Sequence, residues 1–445
     1  MAPQHECDAA EATQVSVASG VRPFLLPLIL PGLLQGKAQT FVTPMLPIFI
    51  KVDLGGSHGM VGAVASAYAV AQFFGSPPVG VLMQHLHYAT AACLALLLLV
   101  TTALLSFAAN SVYVLLAIRL VGGLGATAFD ISRKAYIAAE VPSGIRGRVV
   151  AFLASMQKWA VMISALLSGI VAQHLATRSI FLVQAMLSFT AFLCLSVHAF
   201  CSKQCAGRTS EPDSPTGSGT PASNGGPSRP SVTLSAVLRD HWRSLVGAGL
   251  YCAMLNGIRN TWMIALPLRG HAIGLSKIGI GMSVAGYRAI DASLTFCVAG
   301  HLMDKYGLKA AAVPSMLLMG TAFALLSAVQ GPATLAVAAT VFGVGNGICG
   351  GILNSFATGL APPQARTQFL GLWKMVTALG GISLPPIFGA VSDATSLDMA
   401  GYCLSLAALV AVIWVLVVVR EVSPRTKSAR ETQVAVSLAA QHPTP

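Results

Sequence analysis

The sequence predicts an all-α membrane protein in which twelve transmembrane helices form two pseudo-symmetric six-helix bundles. Three observations predict this fold. Charged residues make up only 9% of the 445 residues and hydrophobic residues 55%, whereas soluble domains carry roughly 25% charged residues. Twelve apolar runs are long enough to cross a bilayer. The second group of six runs also repeats landmarks of the first.

A helix needs about 20 apolar residues to cross the hydrocarbon core of a bilayer. The runs that meet this length are residues 24–50, 59–83, 88–107, 111–137, 149–172, 180–200, 245–268, 278–302, 310–329, 333–360, 369–391 and 399–419. They predict an N-terminal bundle (24–200) and a C-terminal bundle (245–419). Residues 201–244 contain a stretch rich in Ser, Gly and Pro and predict a flexible cytoplasmic linker. Cytoplasmic tails are expected at 1–23 and 420–445.

The distribution of Lys and Arg predicts the orientation, because cytoplasmic segments hold the excess of basic residues. With both termini inside, the inner segments carry fifteen Lys and Arg residues, whereas the outer loops carry only Lys51, Arg178, Arg269 and Lys277. The net charge of +12 is therefore explained mostly by the basic residues of the cytoplasmic segments, and no nucleic-acid partner is expected. The expected location is a multi-pass position in a lipid bilayer, by default the plasma membrane.

A repeat appears when the second half of the sequence is aligned with the first at one constant offset. The matched pairs are Gly80 and Gly300, Gly123 and Gly343, Pro142 and Pro362, Arg146 and Arg366, and Gly169 and Gly389. Parallel repeats of this kind are typical of secondary transporters, which bind solute near the bilayer midplane between the halves.

Two motifs give this chain a family resemblance. GHLMDKYGLK, residues 300–309, resembles the loop between helices 8 and 9 of the major facilitator superfamily, and LLAIRLVGGLGATAF, residues 115–129, resembles its helix-4 motif. The resemblance covers nearly the whole chain and implies the fold of that family. It implies an inner gate at Gly300, Asp304 and Lys305, with Gly80 at the equivalent first-half position. It also implies that Arg119 assists proton coupling.

Ionisable residues inside the predicted spans point to the function. The basic ones are Lys37, Arg119, Arg133, Lys134, Lys158, Arg259, Arg288 and Lys374, and the acidic ones are Asp130 and Asp291. Each costs about 2.5–3.5 kcal/mol at the centre of an inserted helix, so they should face one another, a helix interface or a wet cavity. The basic excess favours an anionic solute such as a carboxylate or phosphate ester, because guanidinium groups bind planar anions with two hydrogen bonds.

Helical spacing predicts which polar residues share a face. The predicted solute-binding residues are Gln35, Gln39, Arg133, Asn256, Arg259, Asn260 and Arg288. Asp130 and Asp291, each three residues from an arginine, are the predicted proton carriers, together with Arg119. An open alternative is that Asp130 with Arg133, and Arg288 with Asp291, are structural ion pairs. Lys134 is expected to extend towards the inner surface.

The expected function is secondary active transport of a small organic anion by alternating access, coupled to protons, by a monomer. One alternative is proton-coupled efflux of drugs or metabolites, although AVMISALLSG keeps only Gly169 of the helix-5 pattern of the family's antiporters. A second alternative is a non-transporting sensor with the same fold. The sequence has no G-x-x-x-x-G-K-[ST] loop, and no metal cluster or nucleophile–base pair stands out. We therefore expect neither an ATP-driven pump nor an enzyme, and no cofactor.

Overall fold

The computed structural model describes residues 30–83, 86, 88–140, 143–208, 234–362 and 366–419. Within these ranges the secondary structure is helical and contains no strand. The six helices of the N-terminal half are α1 (Leu30–Val42, followed by Leu46–Ile48 and a π-helical turn at Phe49–Asp53), α2 (His58–Met83), α3 (Tyr88–Ala108), α4 (Val112–Glu140), α5 (Ser143–His174) and α6 (Ser179–Arg208).

The C-terminal half also contains six helices, two of which are interrupted. They are α7 (Leu234–Ala272), α8 (Lys277–Leu294, a π-helical turn at Thr295–Ala299, and Gly300–Tyr306), α9 (Leu308–Ser327), α10 (Pro332–Ile348 and Ile352–Leu360), α11 (Arg366–Ala394) and α12 (Leu397–Val417). Each of the twelve predicted spans therefore coincides with a helix or an interrupted helix. Within the described residues, seven helices are long and apolar enough to cross a membrane by length and composition alone: α3, α4, α6, α9, α10, α11 and α12.

The helical boundaries narrow the predicted linker. Helix α6 continues to Arg208 and α7 begins at Leu234, so both helices extend into the segment 201–244 that was predicted to be flexible. The remainder of that segment, residues 209–233, lies outside the described residues, as do the predicted tails at 1–23 and 420–445.

Equivalent glycines pack equivalent helices in the two halves. A Cβ at Gly123 of α4 would lie 2.7 Å from the backbone oxygen of Tyr68 on α2. A Cβ at Gly343 of α10 would lie 2.8 Å from the backbone oxygen of Tyr287 on α8. Both positions therefore exclude a side chain where two backbones meet. This recurrence at a matched pair of the sequence repeat agrees with the predicted pseudo-symmetry.

The two halves touch at the predicted outer ends of their helices. A Cβ at Gly389 of α11 would lie 2.2 Å from the carbonyl oxygen of His58, the first residue of α2. A Cβ at Gly169 of α5 would lie 2.6 Å from the carbonyl oxygen of Lys277, the first residue of α8. We call these two contacts the α2–α11 crossing and the α5–α8 crossing. Together they close the interface between the halves on its outer side.

Candidate solute cavity

A cavity of about 350 Å³ lies between the two halves, and residues of α1, α2, α4, α5, α7, α8 and α11 form its wall. Its polar lining residues are Gln39, Thr40, Thr43, Tyr68, Gln72, Arg119, Asn260 and Arg288. Apolar side chains such as Val64, Val161 and Ile264 complete the wall. A mainly apolar cavity of this size with a few convergent polar groups is the usual form of a small-molecule site.

Arg119 is the most unusual residue of this wall. Its Nε and Nη2 atoms are buried and have no hydrogen-bond partner among the described residues. Its guanidinium carbon lies 5.8 Å from the centroid of the Phe181 ring, a weak contact for a buried charge. A buried charge is stable only if it is paired or hydrated. Arg119 can therefore receive an anion that enters the cavity.

Two neighbouring polar groups on the N-terminal side are fixed by each other. Gln39 Nε2 on α1 donates a 2.8 Å hydrogen bond to the Tyr68 hydroxyl oxygen on α2. Because that oxygen accepts from Gln39, the hydroxyl proton of Tyr68 remains free to be donated. The N-terminal wall thus presents a guanidinium and a phenolic donor.

The C-terminal wall presents Asn260 of α7 and Arg288 of α8. Glycine at position 381 of α11 leaves room for Asn260, because a Cβ there would lie 2.4 Å from the Asn260 Nδ2 atom. Arg288 is partly neutralised, since its Nη1 atom lies 3.5 Å from Asp291 Oδ2. Its guanidinium carbon also lies 5.0 Å from the centroid of the Tyr287 ring. Arg288 therefore pairs with Asp291 and also lines the cavity.

A cluster of charges lies beside the cavity where two helices are interrupted. Helix α10 breaks between Ile348 and Ile352, with Gly351 in the left-handed conformation at φ 87°. Arg259 Nη2 contacts Cys349 at this break, 3.3 Å from its carbonyl oxygen and 2.8 Å from its Sγ atom. Interrupted helices near the midplane are common at transporter binding sites. π-helical turns such as the one in α8 also occur often at functional sites.

Asp291 connects this cluster to the cavity. The residue is only 7% exposed, and besides Arg288 it accepts a hydrogen bond from Thr295 Oγ1 at 3.3 Å. Lys158 of α5 interacts electrostatically with Asp291, Arg259 and Arg288. Asp291 thus pairs with Arg288 of its own helix and interacts electrostatically with Lys158 of the opposite half.

The structure places the predicted solute-binding residues in three environments. Gln39, Asn260 and Arg288 line the cavity, as does Arg119, which was predicted for proton coupling. Asn256 donates to the Thr377 carbonyl oxygen at 3.1 Å and so joins α7 to α11. Arg259 lies in the cluster at the α10 break.

Gln35 lies away from the cavity wall in this conformation. It is 2% exposed, and its Oε1 atom accepts a 2.9 Å hydrogen bond from Ser188 of α6. Gln35 lies one helical turn from Gln39. Gln39 lines the cavity, whereas Gln35 packs inside the N-terminal half. The reason is that α6 covers this part of α1, which spacing along α1 alone does not reveal.

Arg133 is also displaced from its predicted role. Its Nη2 atom lies 2.9 Å from Asp130 Oδ1, while Lys134 Nζ binds the other carboxylate oxygen. Arg133 is absent from the cavity wall, and the Asp130 side chain is 37% exposed. The geometry favours the alternative of a structural ion pair, extended by Lys134 into a group of three charges.

The predicted inner-gate glycines make no close approach in this conformation. No atom of the described residues lies within 4 Å of a Cβ built at Gly80 or Gly300. Lys305 is exposed, with its Nζ atom 5.3 Å from the centroid of the Tyr306 ring. The side chain of Asp304 lies outside the described residues.

Sequence reasoning did not select Tyr68 or Lys158. Tyr68 gives no signal, because a lone tyrosine in an apolar span is common at helix interfaces. Lys158 was recognised as a basic residue within a span. Its approach to Asp291 depends on how the two halves dock, which no local pattern encodes.

Comparison with known proteins identifies the family. The family model for the Major Facilitator Superfamily matches residues 32–286 and 250–443. The chain belongs to this superfamily. It is therefore a multi-pass membrane transporter of some solute, in agreement with the fold and the cavity between its halves.

Individual relatives in this superfamily are distant. The chain is 25% identical over 157 residues to a hexuronate transporter of Bacillus subtilis (strain 168), and the match spans 35% of this chain and 37% of that protein. The nucleoside transporter NupG superposes with a TM-score of 0.69 at 14% identity, covering 87% of this chain and 97% of NupG. A POT family transporter in complex with 5-aminolevulinic acid gives a TM-score of 0.67 at 12% identity, with coverages of 89% and 96%. At these identities the two structures support the fold alone.

Proposed function

We propose that this transporter moves a small organic anion, a carboxylate or phosphate ester, by alternating access and in symport with protons. One observation carries the proposal. The cavity between the halves is lined by the guanidinium groups of Arg119 and Arg288, and none of its described lining residues is acidic.

The unpaired state of Arg119 favours an anion over a cation. Hydrogen bonds to a charged group are worth about 1.5–3 kcal/mol each, and a carboxylate or phosphate can accept two from one guanidinium. A lipophilic cation would instead meet uncompensated positive charge in a poorly hydrated site. The partial likeness to a hexuronate transporter supports the same solute class.

Asp291 is the proposed proton carrier. Its carboxylate and an anionic solute compete for Arg288, which lies 3.5 Å from Asp291 and also lines the cavity. Protonation of Asp291 removes this competitor, so the anion binds better to the protonated protein. By linkage, a bound anion then favours protonation of Asp291 to the same extent. Asp130 is the weaker candidate because Arg133 and Lys134 both hold its charged form.

Alternating access is supported by the asymmetry of the contacts between the halves. Backbones touch at the outer ends of α2 and α5, whereas no atom of the described residues lies within 4 Å of a Cβ built at Gly80 or Gly300 at the inner ends. Rocking of the halves about the cavity would separate the outer crossings and bring the inner glycines together.

The solute class is tested by uptake of labelled glucuronate into proteoliposomes that contain the purified protein. We expect saturable uptake, and a loss of about 10- to 100-fold in apparent affinity for Arg119→Gln, in line with a charged hydrogen-bonded contact. Lys309→Gln is the matched control, because Lys309 lies at the predicted cytoplasmic ends of α9 and α12, where its Nζ donates a 3.2 Å hydrogen bond to the carbonyl oxygen of Leu416. Uptake of lipophilic cations with no uptake of any organic anion would support the efflux alternative instead.

Proton coupling is tested separately with an imposed pH gradient. Wild-type uptake should accelerate when the outside is more acidic. Asp291→Asn should lose this acceleration and yet retain exchange of labelled for unlabelled solute, because the neutral side chain still permits binding and rocking. Wild-type uptake that is indifferent to the gradient would refute the coupling without touching the solute class.

A further inference from the structure

We propose that the solute carries two anionic groups, one bound at Arg119 and the other at a second basic site formed by Lys158 and Arg259. This inference rests on the proposed function and makes its solute class more specific. We call Lys158, Arg259 and the α10 break at Cys349 the inner basic site.

The inner basic site adjoins the cavity along the helices. Lys158 lies three residues before the cavity-lining Val161 on α5, a rise of about 4.5 Å. Asp291 lies three residues after the cavity-lining Arg288 on α8. Because α5 and α8 run in opposite directions across the predicted topology, both steps lead towards the cytoplasmic side. Arg259 directly precedes the cavity-lining Asn260 on α7.

Within the part of the chain that the structure describes, neither basic residue of this site forms an ion pair of its own. The hydrogen bonds of Arg259 go to the neutral Cys349, and its Nε atom is buried without a hydrogen-bond partner among the described residues. Lys158 has no ion pair or hydrogen bond with a described residue, and its interaction with Asp291 is through space. Asp291 itself pairs with Arg288. The site can therefore accept an anionic group.

The charge balance decides the number of anionic groups. Among the described residues, the cavity and the inner basic site hold four basic side chains (Arg119, Lys158, Arg259 and Arg288), and with the neighbouring Asp291 their net charge is +3. One carboxylate on the solute would leave +2 in a membrane interior, where an uncompensated charge is unfavourable. Protonation of Asp291 in the proposed symport would add a further positive charge. A dianion offsets this excess better than a monoanion does.

A matched pair of solutes tests the inference. Glucuronate has one carboxylate and glucarate has two on the same six-carbon skeleton. We expect purified wild-type protein to bind glucarate at least about tenfold more tightly than glucuronate, measured by solute-dependent thermal stabilisation, because a good charged contact contributes more than about 1.4 kcal/mol. Lys158→Gln and Arg259→Gln should reduce this preference to less than about threefold with little change in glucuronate affinity. Arg119→Gln should weaken both solutes.

Charge-preserving variants separate a charge effect from a folding effect. Lys158→Arg and Arg259→Lys should retain the preference for glucarate, as should the control Lys309→Gln. Equal binding of both solutes by the wild type, or an unchanged preference in both Gln variants, would overturn the dianion inference and leave the proposed anion transport intact. Binding of neither sugar acid nor any other organic anion would instead overturn the proposed function.

Discussion

The α2–α11 and α5–α8 crossings occupy equivalent positions in the repeat and are formed by the same kinds of contact. In each, a glycine touches the first residue of the opposite helix, Gly389 against His58 and Gly169 against Lys277. Four residues later, each helix offers a side-chain acceptor to the backbone N–H groups at the start of the opposite helix. These acceptors, Asp393 and Gln173, have the same separation in sequence as Gly389 and Gly169.

The two crossings differ in charge. Asp393 accepts hydrogen bonds from the backbone N–H groups of His58 at 2.8 Å and Gly59 at 2.7 Å, so a carboxylate caps the positive end of the α2 dipole. Gln173 is neutral and accepts one bond, from the Lys277 N–H at 3.0 Å. Lys277 Nζ adds a bond to the carbonyl oxygen of Ala172 at 3.2 Å. The comparison teaches that the equivalent acceptor is a charged carboxylate at the α2–α11 crossing and a neutral amide at the α5–α8 crossing.

The largest effect is expected from substituting the contact glycines. Gly389→Ala would place a Cβ 2.2 Å from one backbone oxygen, and Gly169→Ala would place it 2.6 Å from another. Overpacking typically costs about 1–3 kcal/mol, so each variant should shift the protein about tenfold or more towards the outward-open state, with Gly389→Ala the stronger. The shift is measured as labelling of Thr43→Cys by a membrane-impermeant maleimide added outside. Thr43 lines the cavity from the turn that follows Val42 of α1.

The matched controls are glycines with open space around them. Gly371→Ala on α11 and Gly286→Ala on α8 add the same methyl group where no atom of the described residues lies within 4 Å. They should leave the labelling rate unchanged. If the contact and control variants label alike, the crossings do not limit access to the cavity.

A smaller effect is expected from removing the acceptors. Asp393→Ala deprives two N–H groups and the helix end of a partner, whereas Gln173→Ala deprives one. Loss of an N-terminal cap costs about 1 kcal/mol and up to about 2 kcal/mol. We expect labelling of Thr43→Cys to rise about fivefold to tenfold for Asp393→Ala and less than about threefold for Gln173→Ala. Equal rises would mean that the charge of Asp393 contributes nothing beyond its hydrogen bonds.

Hydropathy alone predicted all twelve helices, because the length of each run is set by bilayer thickness. The predicted cavity residues Gln39, Asn260 and Arg288 were also accessible to sequence reasoning, because polar groups in a span must avoid lipid. Gln35 obeys the same rule by binding Ser188 inside one half, so the rule does not distinguish a solute contact from an interhelical hydrogen bond. That distinction needs the packing of α6 against α1.

Contacts between the halves were beyond sequence reasoning for a different reason. Asp393 and His58 are 335 positions apart and meet only because two separate bundles dock. Lys158 and Asp291 approach each other for the same reason. Such pairs have no shared helical face and no fixed spacing. The sequence repeat marks equivalent positions, but it does not specify which helices of opposite halves touch.

The smallest effect is expected from pH at the α2–α11 crossing, whose two titratable residues lie just outside the predicted spans. Burial and the nearby Lys51 hold the pKa of His58 below its usual 6.5, although Asp393 acts in the opposite direction. Burial alone would raise the pKa of Asp393. Hydrogen bonds from the Ser57 side chain and from the Gly59 and His58 N–H groups nevertheless keep that pKa below its usual 3.8.

The two lowered pKa values affect the crossing in different pH ranges. The depressed pKa of Asp393 stabilises the closed crossing above about pH 3.8, and this contribution is lost only in stronger acid. The closed crossing also disfavours a proton on His58, so acidification through about pH 6.5 should favour the open crossing, in which His58 is hydrated. A maleimide reacts with the thiolate, which becomes scarcer in acid, so the labelling rate of Thr43→Cys is divided by that of a fully exposed cysteine at the same pH. We expect this normalised outer labelling to rise about twofold between about pH 7.5 and about pH 5.5, a small change because the pair is partly exposed. His58→Gln should abolish this rise, whereas Gln173→Ala should keep it. A rise that persists in His58→Gln would assign the pH response to another group. The charge difference between the two crossings would then have no role in gating.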